Sequence, residues 1–459
     1  MYQFLKIDKD IFRQLLSIAY PMVISQGAFA LMIFTDRYFM SLVSPTHMGA
    51  ALGGGVASFF TMSLFFGVLS YGNALVAQYF GAGQNEKCPR VLTQGLILCV
   101  GFMPILLFIS YFVGDLFAFM GHAPVMVALE QEYYYILIWG AVISLVKACF
   151  GSYFAGIGET RVVMIADTMA VALNIPLTYM FIFGVGGLPS MGIAGAAWAT
   201  IISTLLGVGL FLVFYLAAEH RQRFFLATSL VLDRGIMHRY VRLGLPSGIE
   251  MFLNVAAFNL FMLMFQSYGI VEAASAAIVL NWDIVSFIPM IGLNVALISL
   301  VGRYIGEGDL TKVRQVIICG FMMGFGYSGL LATLFAVQRV ALVQVFLNGS
   351  SEDAAILALS SPMMLGLATY AMADAVLLVV GGVLRGAGDT RWMMWMSVTL
   401  HWLMLLAQYL VIKVFQLTPL VSWSVFVLMI LVTAAVYLWR IQGQAWRSEE
   451  AIAKVMAEH

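Results

Sequence analysis

The stretch VAQYFGAGQNEKCPRV, residues 76–91, returns in the second half of the chain as VGRYIGEGDLTKVRQV, residues 301–316. The two stretches share both terminal valines, a tyrosine, two glycines and a lysine at an offset of 225 residues. Pro21 and Pro246 lie at the same offset. The chain therefore repeats itself, and the repeat predicts two halves with the same order of structural elements.

A third match supports the repeat, because FAGIGETR (154–161) corresponds to LRGAGDTR (384–391) at an offset of 230. The glycine-rich turns in these motifs fit neither the phosphate-binding loop nor the dinucleotide-binding pattern, and no strand precedes them. We expect the glycines to end transmembrane helices and to allow tight cytoplasmic turns.

The composition is that of a membrane protein. Hydrophobic residues make up 62% of the chain, charged residues 10%, and the mean hydropathy is +0.96. Soluble domains have about 45–50% apolar and about 25% charged residues. A chain of 459 residues has room for about twelve spans of about 20–25 residues each. The apolar runs that predict these spans lie near 14–39, 49–80, 91–113, 131–157, 162–185, 191–218, 240–268, 275–302, 315–337, 356–384, 393–412 and 419–439.

Basic residues give the orientation. Of the 23 lysines and arginines, all but Arg37, Lys147, Arg339 and Lys413 fall on the side of the two termini. Cytoplasmic loops are enriched in lysine and arginine. The sequence therefore predicts an all-α polytopic protein of twelve transmembrane helices, in two pseudo-symmetric six-helix lobes, with both termini in the cytoplasm.

The lobes are predicted at 1–218 and 240–459, joined by a basic cytoplasmic linker at 219–239. Six helices is an even number, so both halves enter the membrane in the same direction. Parallel repeats of this kind are related by an axis along the membrane normal, and their interface is the expected place for a central cavity.

Several other classes of protein and site are disfavoured. The net charge is zero, which gives no reason to expect nucleic acid as a partner. The four cysteines form no CxxC pair, so we expect neither a disulfide nor a structural metal site. The N-terminus mixes acids with bases and does not resemble a cleaved signal peptide. Within the spans there is no HExxH or GxSxG motif, which argues against an enzyme.

Five acids and two bases fall within or near the predicted spans. A carboxylate near the bilayer centre costs at least about 2.5–3.5 kcal/mol, so it must be paired, protonated or functional. Asp374 lies eleven residues, or about 16 Å, before the cytoplasmic Arg385, which places it near mid-membrane. The acids are Asp36, Asp167, Glu250, Asp283 and Asp374, and the bases are Arg37 and Lys147.

The chain resembles the multidrug and toxic compound extrusion (MATE) transporters, and specifically their NorM-type branch. The resemblance rests on VAQYFGAG with the TQGL that follows it (76–96), on ALNIPLTYMFIFG (172–184) and on DAVLLVVGGVLRGAGDTR (374–391), and it spans both halves. It implies a twelve-helix, two-lobed transporter that exports cationic or amphipathic compounds, driven by inward flow of Na⁺ or H⁺.

The resemblance also implies a cation or coupling site. Tyr370 and Asp374 match the tyrosine and aspartate of the NorM-type site, and Asp36 matches the aspartate of the first helix. The branch has a glutamate eight residues after the helix-seven proline, but this position is Asn254 here. Glu250, one turn earlier on roughly the same face, is the candidate to supply the missing charge.

Four further residues match polar positions that line the cavity in the family. In the first lobe these are Asn174 and Thr178, and in the second lobe Asn281 and Asp283. For Asp283 a structural role is an equal alternative. Together with Asn254, these residues are the predicted substrate-lining set.

The remaining charges are interpreted as structural. Asp167 lies close to the cytoplasmic Arg161, and Lys147 is expected to neutralise an acid that the sequence does not identify. Asp36 can face the cavity while Arg37 extends to the outer interface, because consecutive helix residues point about 100° apart.

The repeat does not carry its charges over from one half to the other. Asp36 corresponds to Phe261 by offset, and Asp374 corresponds to Ser144. One lobe could therefore bind the ion while the other binds much of the substrate.

The predicted function is multidrug efflux by Na⁺ or H⁺ antiport in the inner membrane, through alternating access between the lobes. The protein is expected to be a monomer in the lipid bilayer that takes small organic cations and has no cofactor besides the coupling ion. A lipid-linked oligosaccharide flippase of the same superfamily is the alternative.

Overall fold

The computed structural model describes residues 8–119, 123–187, 189–347 and 351–457, and all regular secondary structure in these ranges is helical. The helices of the first half are α1 (Lys9–Val43), α2 (Pro45–Ser70), α3 (Gly72–Gly81), α4 (Lys87–Phe119), α5 (Pro124–Trp139), α6 (Ala141–Gly156), α7 (Thr160–Phe183), α8 (Gly192–Tyr215) and α9 (Ala218–Arg223). Those of the second half are α10 (Arg234–Gln266), α11 (Ile270–Glu307), α12 (Leu310–Val337), α13 (Arg339–Gln344), α14 (Asp353–Ala387), α15 (Thr390–Tyr409), α16 (Pro419–Gln442) and α17 (Glu449–Met456).

Twelve helical segments have the length and apolar character of a membrane span. Eleven of these segments are continuous, and one of the eleven is formed by α2 and α3 together. The twelfth is formed by α5 and α6, which are bent by 49° relative to each other. The bend falls at Gly140, where a Cβ would collide with the side chain of Ile201 on α8. The predicted number of spans and the all-helical fold are confirmed.

Several helices extend beyond the apolar runs that predicted them. α1 begins at Lys9 rather than near residue 14, and α10 begins at Arg234, inside the segment 219–239 predicted as a linker. A side-chain cap explains each extension, because Asp233 Oδ1 accepts a hydrogen bond from Ile236 N at 3.1 Å and Asp8 caps α1 in the same way. Such caps satisfy the free N–H groups of the first turn, so a helix can continue into its polar flank.

The glycines of the repeated motifs end helices, as expected. Gly308 follows α11 with φ of 73° and Gly388 follows α14 with φ of 86°, in the left-handed region that favours glycine. Their counterparts in the first half, Gly83 and Gly158, have φ of 72° and 84°. The repeat is therefore present in the backbone conformation as well as in the sequence.

The two halves contact each other through a symmetric pair of glycines. A Cβ at Gly81 on α3 would collide with the carbonyl oxygen of Arg303 on α11. A Cβ at Gly306, the repeat partner of Gly81, would collide with the carbonyl oxygen of Gln78 on α3. Only a residue without a side chain lets α3 and α11 approach this closely, so the contact between the lobes is built on the repeat itself.

Hydrogen bonds join the lobes near the same level. Gln78 Nε2 donates to the carbonyl oxygen of Gly386 at 2.8 Å, and Tyr304 OH donates to Gln14 Oε1 at 2.6 Å. These residues lie near the basic turns, on the side predicted to face the cytoplasm. Farther from these turns, α1 and α2 continue along α11 and α10 of the other half.

The C-terminal helix α17 packs beneath both lobes. Val455 packs against the core of the first half, and Ile452 packs against the core of the second. Arg239, predicted to lie in the linker, is instead fully buried in α10, and its Nε donates to the carbonyl oxygen of Val455 at 2.8 Å. The free carbonyl groups at the end of α17 thus receive a cationic donor, a favourable arrangement at a helix C-terminus.

Candidate ion and substrate site

The candidate site of the first lobe is centred on Asp36, which is buried on α1 with 8% of its surface exposed. Thr178 on α7 donates a hydrogen bond to Asp36 Oδ1 at 3.0 Å, and Thr200 on α8 donates to Oδ2 at 3.4 Å. No lysine or arginine of the described residues forms a salt bridge with this carboxylate. Its partners are neutral hydroxyls, and its charge is left uncompensated.

Asn174 extends this cluster by one turn of α7. Its amide Nδ2 donates to Ser203 Oγ at 3.4 Å and to Thr200 Oγ1 at 3.5 Å. Its Oδ1 is buried and has no hydrogen-bond partner among the described residues. The predicted residues Asp36, Asn174 and Thr178 are therefore brought together by three helices. Thr200 and Ser203 were not predicted, although their spacing of three places both on one face of α8.

Arg37, next to Asp36 in sequence, is exposed. The adjacent charges thus point in different directions, as the helical geometry predicted. The interpretation of Arg37 as an interfacial anchor agrees with this placement and remains a prediction.

The candidate site of the second lobe contains two acids rather than one. Asp374 on α14 and Asp283 on α11 lie close enough for their charges to interact with each other and with Tyr370. Ser286 Oγ donates to Asp283 Oδ1 at 3.2 Å. The Asp374 carboxylate has no hydrogen bond or salt bridge to any of the described residues. The structure therefore brings together Asp283, predicted as a lining residue, and Asp374, predicted as a coupling residue.

Tyr370 lies one turn from Asp374 on α14 and is 1% exposed. Its ring packs against Phe426 on α16, with 5.7 Å between the ring centroids. Its hydroxyl is buried and has no hydrogen-bond partner within the described residues. A buried hydroxyl normally has a partner, so this group is available to an ion, a water or a substrate.

The structure does not bring Glu250 to this site. Glu250 on α10 is 3% exposed, and its Oε1 accepts a hydrogen bond from Arg385 Nη2 at 3.1 Å. Arg385 lies eleven residues along α14 from Asp374, a rise of about 16 Å. Glu250 therefore does not occupy the place of the helix-seven glutamate beside Asp374. No sequence signal indicated this pairing, because Arg385 was counted only as a cytoplasmic charge.

Asn254 belongs to the same inner level as Glu250. Its Nδ2 donates to Ser397 Oγ on α15 at 2.7 Å, and His401 contacts the Ser397 carbonyl oxygen at 2.8 Å through Nδ1. Asn281, by contrast, is exposed on α11. It lies two residues from Asp283, so the two side chains point about 160° apart. Neither asparagine is brought to the pair formed by Asp283 and Asp374.

Lys147 acquires the acid partner that the sequence did not identify. Its Nζ lies 2.8 Å from Asp167 Oδ1, between α6 and α7. Asp167 Oδ2 accepts a hydrogen bond from Ser25 Oγ on α1. The acid expected to lie near the cytoplasmic Arg161 is thus one member of an ion pair within the first lobe.

Comparison with known sequences places the chain in a family. The MatE family profile matches residues 21–180 and 246–410, which together are most of the chain. The probable multidrug resistance protein NorM of Pasteurella multocida (strain Pm70) is 28% identical over 395 residues, covering 85% of this chain and 84% of that protein. The multidrug resistance protein MdtK of Edwardsiella ictaluri (strain 93-146) is 27% identical over 418 residues, covering 90% of each.

Two solved structures show the same fold at low sequence identity. A MOP superfamily transporter from Pyrococcus furiosus Vc1 aligns with a TM-score of 0.85 at 20% identity, over 97% of this chain and 98% of that chain. The eukaryotic MATE transporter AtDTX14 aligns with a TM-score of 0.85 at 18% identity, over 97% and 99%. The two-lobed architecture predicted from the repeat is therefore confirmed.

The family profile, the NorM-type relatives and the twelve spans agree with one another. A transporter of the NorM type resides in the inner membrane as a multi-pass protein and is not an enzyme. The chain belongs to the MatE family, the multidrug and toxic compound extrusion transporters, and is of the NorM type.

Proposed function

We propose that the protein is a multidrug efflux antiporter that exports cationic or amphipathic organic compounds in exchange for inward Na⁺ or H⁺. One observation carries the proposal, namely that each lobe holds at least one membrane-embedded carboxylate without a basic partner among the described residues. The relatives named NorM and MdtK, described as multidrug resistance proteins, support the choice of cargo.

The five embedded acids singled out from the sequence fall into two groups by their partners. Asp167 and Glu250 each pair with a base, Lys147 and Arg385 respectively, at 2.8 and 3.1 Å. Asp36 and the interacting acids Asp283 and Asp374 have no base. An unpaired carboxylate costs several kcal/mol in the membrane, so a bound cation or proton is the natural means of neutralising the second group.

Neutralisation supplies a coupling mechanism. When external Na⁺ or H⁺ engages the unpaired carboxylates, the charge that opposes closure of the cavity is removed. The lobes then rearrange by alternating access, and the cargo leaves on the outer side. A cationic cargo that competes for the same carboxylates would bind best when the ion is absent, so exchange follows from mutual exclusion.

The polarity of the embedded charges argues for cationic cargo over a lipid-linked oligosaccharide. The five embedded acids named above outnumber the embedded bases Arg37 and Lys147, and Lys147 is paired with Asp167 at 2.8 Å. Aromatic and sulfur-containing side chains are plentiful, with 34 Phe, 19 Tyr and 29 Met, and such side chains suit a surface that adapts to varied ligands. The Pyrococcus transporter, for which a reversed pocket polarity suggests a different function, is a reminder that the fold alone does not fix the cargo.

Transport in proteoliposomes tests the proposal. The purified protein is reconstituted in vesicles loaded with the fluorescent cation ethidium, and a Na⁺ gradient or a pH gradient is imposed separately at zero membrane potential. We expect one of the gradients to accelerate ethidium efflux from the vesicles. Empty vesicles and the Asp115→Asn variant, which alters an exposed acid on α4, serve as controls.

The outcomes are distinct. Acceleration by only one gradient identifies the coupling ion. Ethidium movement that responds to neither gradient contradicts the antiport mechanism. Movement of a fluorescent lipid-linked sugar, but not of ethidium, supports the flippase instead.

A further inference from the structure

Ser25, Lys147 and Asp167 form a three-helix cluster that the proposed transport cycle does not use. Asp167 divides its two oxygens between the partners: Oδ1 lies 2.8 Å from Lys147 Nζ on α6, and Oδ2 accepts from Ser25 Oγ on α1. The side chain of Asp167 is 16% exposed, that of Lys147 is 23% exposed, and Ser25 is 2% exposed. The ion pair alone would neutralise Lys147, so the bond from α1 requires another explanation.

The spacing relates this cluster to the ion site. Ser25 and Asp36 are eleven residues apart on α1, and Asp167 and Thr178 are eleven residues apart on α7. Eleven residues make about three helical turns, so each pair lies on one face of its helix, about 16 Å apart along the axis. The first and fifth spans cross the membrane in the same direction. The bonds from Ser25 to Asp167 and from Thr178 to Asp36 therefore join the same two helix faces at two levels.

Two such bonds fix both the depth and the rotation of one helix on the other. A shift of one residue along α1 would move Asp36 by about 1.5 Å and turn it by about 100°, which would remove it from Thr178. Thr200 on α8 would lose its bond to Asp36 for the same reason. Lys147 contributes by fixing the Asp167 carboxylate, because Oδ1 is held on α6 while Oδ2 faces α1.

The second lobe contains a counterpart in which the residue types are exchanged. By offset, Ser25 corresponds to Glu250 and Asp167 corresponds to Ser397. The acid thus moves from the fifth helix of the lobe to the first, while the hydroxyl moves the opposite way. In both lobes the base comes from the fourth span, as Lys147 on α6 and Arg385 on α14.

Both clusters also have the same position relative to a proline. Ser25 and Glu250 each lie four residues after the proline inside their helix, Pro21 or Pro246. Proline removes a backbone hydrogen bond and weakens the helix locally, so a side-chain attachment one turn later restores a defined position. In the second lobe the bond between the first and fifth helices is donated by Asn254, one turn after Glu250, to Ser397 at 2.7 Å. Such a bond therefore recurs in both lobes with different residue types, which indicates that the attachment itself matters, and not only the neutralisation of one lysine.

We propose that Ser25, Asp167 and Lys147 are positioning residues that hold α1 in register on α7 and thereby keep Asp36 against Thr178 and Thr200. The inference deepens the proposed function, since it assigns a second set of residues to the ion site of the first lobe. It predicts that the site around Asp36 loses ion affinity when the hydrogen bond from Ser25 to Asp167 is removed, even though no residue of the site itself is altered.

The Ser25→Ala variant tests the proposal, because it cuts the bond from α1 and leaves the pair of Lys147 and Asp167 in place. In the vesicles described above we expect the apparent KM for the coupling ion to rise about tenfold with little change in maximal rate. A tenfold change is at the low end of the effect on metal affinity of residues that orient the metal ligands without contacting the metal themselves. Ser25→Thr, which keeps the hydroxyl, should restore the wild-type KM.

The matched control is Ser17→Ala, which removes an exposed hydroxyl of the same helix; among the described residues this hydroxyl bonds only to the carbonyl oxygen of Gln14. A double-mutant cycle gives a second readout. In an Asp36→Asn background, Ser25→Ala should add no further change in KM, because the group that it positions is already gone. Unchanged ion KM in Ser25→Ala, or additive effects with Asp36→Asn, would overturn the proposal.

Hydrogen–deuterium exchange separates a failure of this inference from a failure of the proposed function. If wild-type vesicles show no ion-driven transport, the antiport function fails, but the positioning of α1 can still be measured. Peptides covering residues 33–43 should exchange faster in Ser25→Ala than in Ser17→Ala. Equal exchange in the two variants contradicts the positioning role whatever the transport result.

Discussion

The two lobes share a scaffold but present their unpaired acids differently. In the first lobe, one carboxylate, Asp36, accepts hydrogen bonds from Thr178 and Thr200. In the second lobe, Asp283 and Asp374 interact with each other, and the Asp374 carboxylate has no donor among the described residues. The two lobes therefore share their helix packing but differ in the side chains available to bind ions.

The difference has a chemical consequence. A single carboxylate with two hydroxyl donors is partly stabilised before any ion arrives. Two neighbouring carboxylates with one serine donor repel each other, and a shared cation or proton relieves that repulsion. The second lobe should therefore gain more from ion binding, and the first lobe should make the smaller contribution to ion coupling.

The largest expected effect comes from removing one member of the pair in the second lobe. Asp374→Asn should reduce ion-driven ethidium efflux in proteoliposomes by more than about tenfold, equivalent to about 1.4 kcal/mol. Asp36→Asn should reduce it less, because the second lobe then keeps both acids. Asp115→Asn controls for the loss of an acid without a change at either site.

A larger transport loss in Asp36→Asn than in Asp374→Asn would reverse the comparison between the lobes. If Asp36→Asn abolished coupling while Asp374→Asn remained active, the ion site would lie in the first lobe. Equal losses would mean that the two lobes act as one linked site.

The pairing of Glu250 with Arg385 predicts an effect of intermediate size, on stability rather than on coupling. Glu250→Gln leaves the guanidinium of Arg385 without its acid. Breaking a fully buried pair costs about 3–5 kcal/mol. Because the Arg385 side chain is 29% exposed, we expect about 1–3 kcal/mol, measured as a lower melting temperature in detergent.

A second substitution separates structure from function. The Glu250→Gln/Arg385→Gln variant removes both charges and should recover most of the lost stability. Coupled transport in that variant would agree with a structural pair. Loss of coupling despite recovered stability would return Glu250 to the ion site, as the sequence suggested.

The smallest expected effect concerns a turn that distinguishes the lobes on the cytoplasmic side. Glu159 and Asp389 occupy equivalent turns, and each pairs with an arginine, Arg223 at 3.4 Å and Arg440 at 2.7 Å. Only the turn of the first lobe has a histidine partner among the described residues. His220 contacts Tyr153 OH at 2.9 Å through Nε2, and its Nδ1 lies 4.0 Å from Glu159.

Burial, and secondarily the charge of Arg223, lower the pKa of His220 to about 4. Its pKa in an unfolded chain is about 6.5. Between these values the unfolded state binds more protons, so stability is fully present above about pH 6.5 and declines as the pH falls towards 4.

Melting temperatures between pH 4 and 7 check this prediction. The His220→Asn variant should show a shallower decline than the wild type. His238→Asn, which changes an exposed histidine of α10, should follow the wild-type curve. Identical curves for all three proteins would exclude His220 as a source of the acid sensitivity.

The sequence alone determined the number of spans, the duplication and the positions of the embedded acids. These features depend on local properties: an apolar run of sufficient length spans a bilayer, a basic loop stays in the cytoplasm, and a charge within a run is costly wherever the helix packs. The resemblance to the family added the roles proposed for Asp36, Tyr370 and Asp374.

Only the tertiary structure decided which acids are paired. The sequence predicted a structural role for Asp167 and a coupling role for Glu250, but it identified the partner of neither, and each meets a base on another helix. The partners are separated by 20 to 135 residues, and contact between them depends on how far each helix is rotated and shifted against its neighbours. Rotation and shift arise from the packing of many side chains at once, so they cannot be derived from the spacing along one helix.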